Sequence, residues 1–500
     1  MIRFPLLGIA VCGALSSTGQ GFSVVNVPED DRYDLAHTVR TVPQGYLMFS
    51  TKGDSAGYHG RTTLFDPQGT VLTVQDHGDL FSAHWGLQHA ISQRLADGGF
   101  VGLSVSATTQ GARMLVYRFN DEGDTLWTRW LDTAYAALPR AAVAQDGSYY
   151  FAGLRKLSSS DITYETFILR TDTQGYLLAQ ESFPDLPYDK VSLCAGVPGE
   201  LYLAAGNSTA GAGHRAHVVA LDTALSVRWS NDIVESTSDQ WPLYRTSVAG
   251  MAVDAGGDVL LGGMCVNLNV YPIWIPMLGL VKIDREDGSL LWARRHAITS
   301  SDLGTVNDLA VLQDGSMVVC GFVVPPNMGF RAFIAKYTAN GTQVWIRYHR
   351  YLTNALAENV LLDVELLDNG GFALAGTTRL HFIYGEVPWL LVLDAEGCLL
   401  PGCLLPTDIE ETEASADGGL RIWPLPIGTE SVAEINVPIG RGSAEMRVVD
   451  GAGRCVQAVT LVGVGLQSVP IGTWSFAAGI HVVQVVQDGR VLTSERIVVP

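Results

Sequence analysis

Positive charge is scarce in this chain: 32 Lys and Arg stand against 51 Asp and Glu in 500 residues, a net charge of −19. Nucleic acids and anionic membranes are held by clustered bases, and the few here are scattered, so neither partner is expected. Long apolar runs are missing too. After the first 20 residues none reaches the roughly 18 positions a membrane-spanning helix needs. The eleven histidines are dispersed, with no H-E-x-x-H and no C-x-x-C to hold zinc. No D-x-D occurs, so acidic turns such as Asp284 to Gly288 lack the alternating carboxylates of a calcium loop. No G-x-x-x-x-G-K cradle for phosphate is present. No metal and no cofactor is therefore expected. These absences do not reach catalysis by two carboxylates, which needs acids close in space and not in sequence.

What is present begins with an export signal. Residues 1 to 19 carry Arg3, an apolar run from Phe4 to Leu15, and small residues at Ser17 and Gly19, the layout of a cleaved signal peptide. Cys12 follows Val11, where lipid attachment needs a small residue. Export permits disulfides among the six later cysteines. Cys194, Cys265, Cys320 and Cys455 lie singly in apolar strand patterns and read as small buried hydrophobes. Cys398 and Cys403, in GCLLPGC, form the only close pair, and a bridge across that turn stays open.

The body of the chain repeats one unit. Its clearest copy, Val306 to His349, reads as strand, Gly turn, strand, loop, strand, Gly turn, strand. The first turn glycine recurs at Gly45, Gly98, Gly147, Gly199, Gly257, Gly315 and Gly370, in steps of 49 to 58 residues. Four strands per step is the period of a propeller blade. The spacing predicts seven blades over residues 20–406, an acidic linker over 407–417, and a small antiparallel β-sandwich over 418–500. A tryptophan often stands four residues beyond the second turn glycine, as in Trp127, Trp292 and Trp345, with Trp229 at the same place after Leu225. The regular spacing makes these wedges between blades rather than catalytic groups. Residues 22–27 (FSVVNV) form a strand without a partner in its own repeat. Because an unpaired edge must be covered, that strand is expected to complete the seventh blade.

Up-and-down blades place both Gly turns of each unit at one end, so the remaining connections emerge at the other. These include 80–89, 156–165, 235–246, 267–277 and 380–388, several of them aromatic. Loops of this kind on a rigid scaffold usually carry binding. Trp85, Trp241, Tyr244, Tyr271, Trp274 and Tyr384 are the candidate ligand residues, and a glycan or a protein is the candidate ligand. The competing reading is a polysaccharide hydrolase or lyase, with acids drawn from Asp161, Glu165, Asp239 and Glu386.

Three comparisons with known families bear on this. The Gly-x-x-x-Trp spacing resembles the repeat of pyrroloquinoline-quinone propellers, without their eight blades or adjacent Cys-Cys ring, and so is closer to the related scaffolding propellers. Residues Asp121 to Trp127 share the Asp and Gly of the sialidase repeat but lack its Ser and place Trp one residue late. The tail carries Trp423-Pro424-Leu425-Pro426, then Asp450-Gly-Ala-Gly453-Arg454, then Gly479-Ile480-His481-Val482-Val483, and ends on Glu495-Arg496-Ile497-Val498-Val499. This order resembles the C-terminal sorting domain of the Bacteroidota type-nine secretion system, with Leu425 in place of Asn and His481 in place of an aromatic residue. The resemblance implies passage across the outer membrane by that machinery, followed by release or surface attachment.

Overall fold

The computed structural model describes residues 22–25, 33–54, 57–77, 92–108, 111–131, 136–156, 164–184, 190–206, 216–233, 244–267, 275–296, 303–324, 329–351, 357–380, 386–399, 420–423, 432–437, 444–450, 454–461, 465–471, 476, 479–487 and 490–499. Among these residues every regular element is a β-strand, and no helix is long and apolar enough to cross a membrane. The chain divides into two compact units, Met1–Cys403 and Leu404–Pro500.

The first unit is a seven-bladed β-propeller. Seven four-stranded antiparallel sheets follow one another, six of them built from consecutive strands within 33–76, 92–131, 136–183, 190–233, 244–296 and 303–349. The seventh takes three strands from 357–393 and its outermost strand from Phe22–Val25, which pairs with Val387–Leu393 through Val24 and Leu390. The N-terminal strand thus closes the ring, as its lack of a partner required, and its position is the outer edge. Trp389, fully buried, fixes it further by donating Nε1–H to Ser23 Oγ at 2.8 Å.

Each pair of neighbouring blades shares an apolar core, and the seven cores complete the circle. Phe49 of blade one meets Phe100 and Phe119 of blade two; Ile334 of blade six meets Leu374 of blade seven; Ala375 and Leu390 of blade seven meet Val39 and Met48 of blade one. The tryptophans act as the spacing suggests. Trp127, Trp229, Trp292 and Trp345 lie against Gly175, Gly288, Gly341 and Gly397, the turn glycines of the blades that follow them. Each of those glycines has positive φ, so the turn needs glycine for its backbone while the indole needs it for space.

The innermost strands carry a recurring bulge. The register skips one residue between Ala36 and Thr38, Pro139 and Ala141, Val248 and Gly250, Val306 and Asp308, and Leu361 and Asp363. A bulge tightens the strand twist and turns the extra side chain out of the alternating pattern. Among the described side chains, those so displaced are His37, Ala249, Asn307 and Leu362.

The second unit is a sandwich of a three-stranded sheet (Leu420–Trp423, Val432–Val437, Gly465–Pro470) and a four-stranded sheet (Cys455–Leu461, Ala444–Asp450, Gly479–Gln487, Arg490–Val499). Ile435, Met446, Val448, Val483 and Ile497 fill its core. One cysteine departs from the sequence reading. Cys194 and Cys320 are buried, but Cys455 is a free, exposed thiol because it opens an edge strand on the solvent side.

Candidate functional site: the seam of blades six and seven

The strand ends opposite the Gly turns meet in a pocket of about 70 Å³ between blades six and seven, lined by Asn307, Phe322, Phe330, Glu358, Val360, Leu362, Thr377, Arg379 and Glu386. Each is placed by its local structure. Glu358 and Arg379 face each other as cross-strand partners near the open ends of Ala357–Leu366 and Phe372–Leu380. Glu386 precedes the third strand, Val387–Leu393, and its carbonyl accepts the Asp34 N–H of blade one at 2.8 Å. Phe330 is set by its carbonyl, which accepts the Asn359 N–H at 2.9 Å, and its ring stacks on Phe322 with centroids 4.7 Å apart. Asn307 enters as the bulged residue of its strand.

Polar groups here are arranged unevenly. The Arg379 guanidinium donates to Glu358 and, at 2.9 Å, to Glu386. The fully buried Asn307 donates Nδ2–H to the Leu361 carbonyl at 2.7 Å, which leaves its Oδ1 without a hydrogen bond. Thr377 Oγ1 is likewise buried and unbonded.

A second cavity, about 460 Å³, occupies the other half of the central channel, where the innermost strands approach the Gly turns. Alanines 141, 142, 144, 195, 249 and 252 keep it wide, and Arg40, Arg94, Asp308 and Glu365 supply its charge. Behind its wall Asp363, completely buried, accepts from Arg40 at 2.7 Å and from the Val39 N–H at 3.0 Å. One blade earlier, Asp308 accepts the Val364 N–H at 3.0 Å, and Ser192 of blade four donates to the Ala249 carbonyl at 2.8 Å. These side chains hook one blade to the main chain of the next. Burial, and after it the nearby Asp363 carboxylate, pushes the Asp308 carboxyl well above the usual range.

Several expected residues fall outside the described ones: Trp85, Trp241, Tyr271, Trp274, Tyr384, Asp161, Asp239, Cys403, Pro424, Pro426 and Gly453. Tyr244 opens the innermost strand of blade five. Of the proposed acids, Glu386 lies in the pocket, whereas Glu165 pairs with Arg155 and Ser182 inside blade three. Cys398 is disulfide-bonded. In the tail, Asp450 accepts the Arg454 N–H at 2.9 Å and its side chain at 2.8 Å, closing the turn between two strands. Gly479 starts the strand that pairs with the last one, and His481 is buried with its ring stacked on Phe476.

Two arrangements imitate catalytic ones. Gly53 to Gly57 spells G-x-S-x-G, but it spans the hairpin between the second and third strands of blade one rather than a strand-to-helix elbow. On the outer strands of blade four His217 lies 2.8 Å from Asp232 and 2.7 Å from Ser230. Neither described cavity includes them, and they form a hydrogen-bond chain on the sheet surface.

No protein-family model and no curated protein matches the chain. Among solved structures, it is similar to a protein of unknown function from Dyadobacter fermentans DSM 18053, with 12% identity, TM-score 0.39, and 61% of this chain and 91% of that chain covered. The subtype N11 neuraminidase-like protein of A/flat-faced bat/Peru/033/2010 (H18N11) gives 10%, 0.36, 75% and 94%. A quinohemoprotein alcohol dehydrogenase from Pseudomonas putida HK5 gives 10%, 0.39, 76% and 76%. At these values the assignment of the propeller rests on its own seven sheets and their register.

Proposed function

We propose that the chain is an exported binding protein whose propeller engages a glycan or a protein through the end opposite the Gly turns, and whose sandwich directs export through type-nine secretion machinery to the medium or the outer-membrane surface. One observation carries the binding half: the pocket at that end, between blades six and seven, holds buried polar atoms without partners beside a stacked pair of phenylalanines. A rigid ring with such a pocket at one end has the form of a recognition surface. Catalysis is the weaker reading, because both pocket carboxylates accept from one guanidinium and so compete for roles as acid or nucleophile.

The export half rests on the ordered tail motifs, with the Asp450 to Arg454 turn and the closing strand pair as their structural counterparts. The test of binding is a glycan-array and pull-down screen of the mature chain, repeated with Trp241→Ala and Trp274→Ala. Binding weakened by these substitutions supports the chosen end, and binding unchanged in both counts against it. The test of export is removal of 418–500 in a host that carries the machinery, where periplasmic retention is expected and unimpaired release would refute the role.

A further inference from the structure

We propose that the pocket between blades six and seven receives the acetamido group of an N-acetylhexosamine, so that this end of the ring reads an N-acetylated glycan. The inference rests on the reading that this end binds, and names the sugar substituent it takes.

The polar atoms set the pattern. Asn307, fully buried, spends one amide hydrogen on the Leu361 carbonyl at 2.7 Å, and its Oδ1, which can only accept, has no hydrogen bond. Thr377 Oγ1 is buried and unbonded too, and a hydroxyl can donate. Unmet groups of this kind are costly inside a protein, and native structures meet them with water or ligand. Asn307 belongs to blade six and Thr377 to blade seven, so a donor is wanted on one side of the seam and an acceptor on the other. A secondary amide carries both, with its N–H and C=O pointing in opposite directions, whereas a lone hydroxyl offers both from a single atom. Glu358 and Glu386 are bonded through Arg379, and all three have further interactions, so they ask for no charge on the ligand.

The walls decide what the amide is attached to. Phe322, Phe330, Val360 and Leu362 make the rest of the lining apolar, which suits the acetyl methyl. Asn307, Leu362 and Thr377 are all buried, which closes the inner end, so the entering group terminates there rather than passing through as a peptide backbone does. A carboxamide side chain would end on a polar NH2 against these walls, while an acetamido group ends on a methyl. The stacked rings of Phe322 and Phe330 are only half-buried, and the flat C–H face of a pyranose covers such a ring more fully than the thin stem of an acetylated lysine.

The test uses the full chain with methyl N-acetyl-β-glucosaminide, read by saturation-transfer NMR and calorimetry. The controls are methyl β-glucoside, which has a hydroxyl in place of the acetamido group, and N-butylacetamide, a mimic of acetylated lysine. Saturable binding of the acetylated glycoside is expected, with its acetyl methyl receiving the strongest saturation. Thr377→Val, which keeps the shape and removes the hydroxyl, should weaken it about tenfold, and Thr377→Ser should restore it. Equal or tighter binding of either control, or no saturable binding because ordered water alone fills the pocket, would overturn the proposal. A macromolecule without N-acetylated sugar captured in the screen and weakened by Trp241→Ala and Trp274→Ala, with no binding of the glycoside, would overturn this inference and leave the binding role standing. Glycoside binding with no macromolecule captured would do the reverse.

Discussion

The ring of Phe22 rests on Gly69: a β-carbon at that glycine would lie 2.5 Å from the phenyl edge. Phe22 belongs to the outer strand of blade seven and Gly69 to the second Gly turn of blade one, so this contact repeats, across the closure, what Trp345 does to Gly397 within the chain. The closing strand therefore supplies both the missing ladder and the missing wedge.

This pairing predicts unequal costs for equal mutations. Gly397→Ala and Gly370→Ala both place Ala at positive φ, which costs about 1–2 kcal/mol. Only at Gly397 does the new carbon also meet an indole, at 2.7 Å against ordinary contact at Gly370. Overpacking should add about 1–3 kcal/mol, read as a larger drop in the thermal midpoint for Gly397→Ala. Equal drops would contradict the wedge.

Asp363→Ala removes a carboxylate that is fully buried beneath Arg40 and the Val39 N–H. Breaking a buried pair on one side costs about 3–5 kcal/mol. Chemical denaturation should show a loss of that order, and a loss under about 1 kcal/mol would mark the pair as solvated, surface-like.

Stability should also depend on pH through Asp308. Its carboxyl, facing Asp363 with Arg40 and Cys320 nearby, is raised by burial above the ordinary value of about 4. The folded state then binds the proton more tightly than the unfolded one, so this contribution is full at low pH and declines as pH rises. His37 and His349 act oppositely: burial lowers each to about 4, so their contribution is lost on acidification below the ordinary histidine range. The difference between the parent chain and Asp308→Asn, taken from about pH 5 to 8, isolates the carboxyl. The parent should lose stability relative to the variant as pH rises, and parallel curves would refute it.

The Cys398 bridge offers a covalent check. We expect Cys403 as its partner, across the GCLLPGC turn. Non-reducing peptide mapping should return one peptide with an internal 398 to 403 bond, and a bond from Cys398 to any other cysteine would refute the pairing.

The blades, their turn glycines, the wedge tryptophans and the closing strand were all legible because each repeats at a fixed interval or breaks that interval visibly. The pocket was not. Glu358 and Arg379 stand far apart in sequence and meet through cross-strand register, while Asn307 arrives from the neighbouring blade. The bulge that turns Asn307 into the pocket leaves no trace in composition. Asp308 and Asp363 did leave a signal, since each precedes its turn glycine, Gly315 or Gly370, by the same interval, but only the inter-blade hydrogen bonds give that interval a meaning. Cys455 misled because an apolar strand pattern does not reveal which strand forms the edge.

Everything said of the two ends of the ring depends on its closure by residues 22–25. Amide hydrogen exchange of the full chain measures this directly. The account predicts that the amides of 22–25 that donate into the ladder exchange as slowly as those of 389–391, their register partners, and that deleting 22–25 speeds exchange in 387–393. Exchange of 22–25 at the rate of an unstructured peptide, with 387–393 unaffected by the deletion, would contradict it.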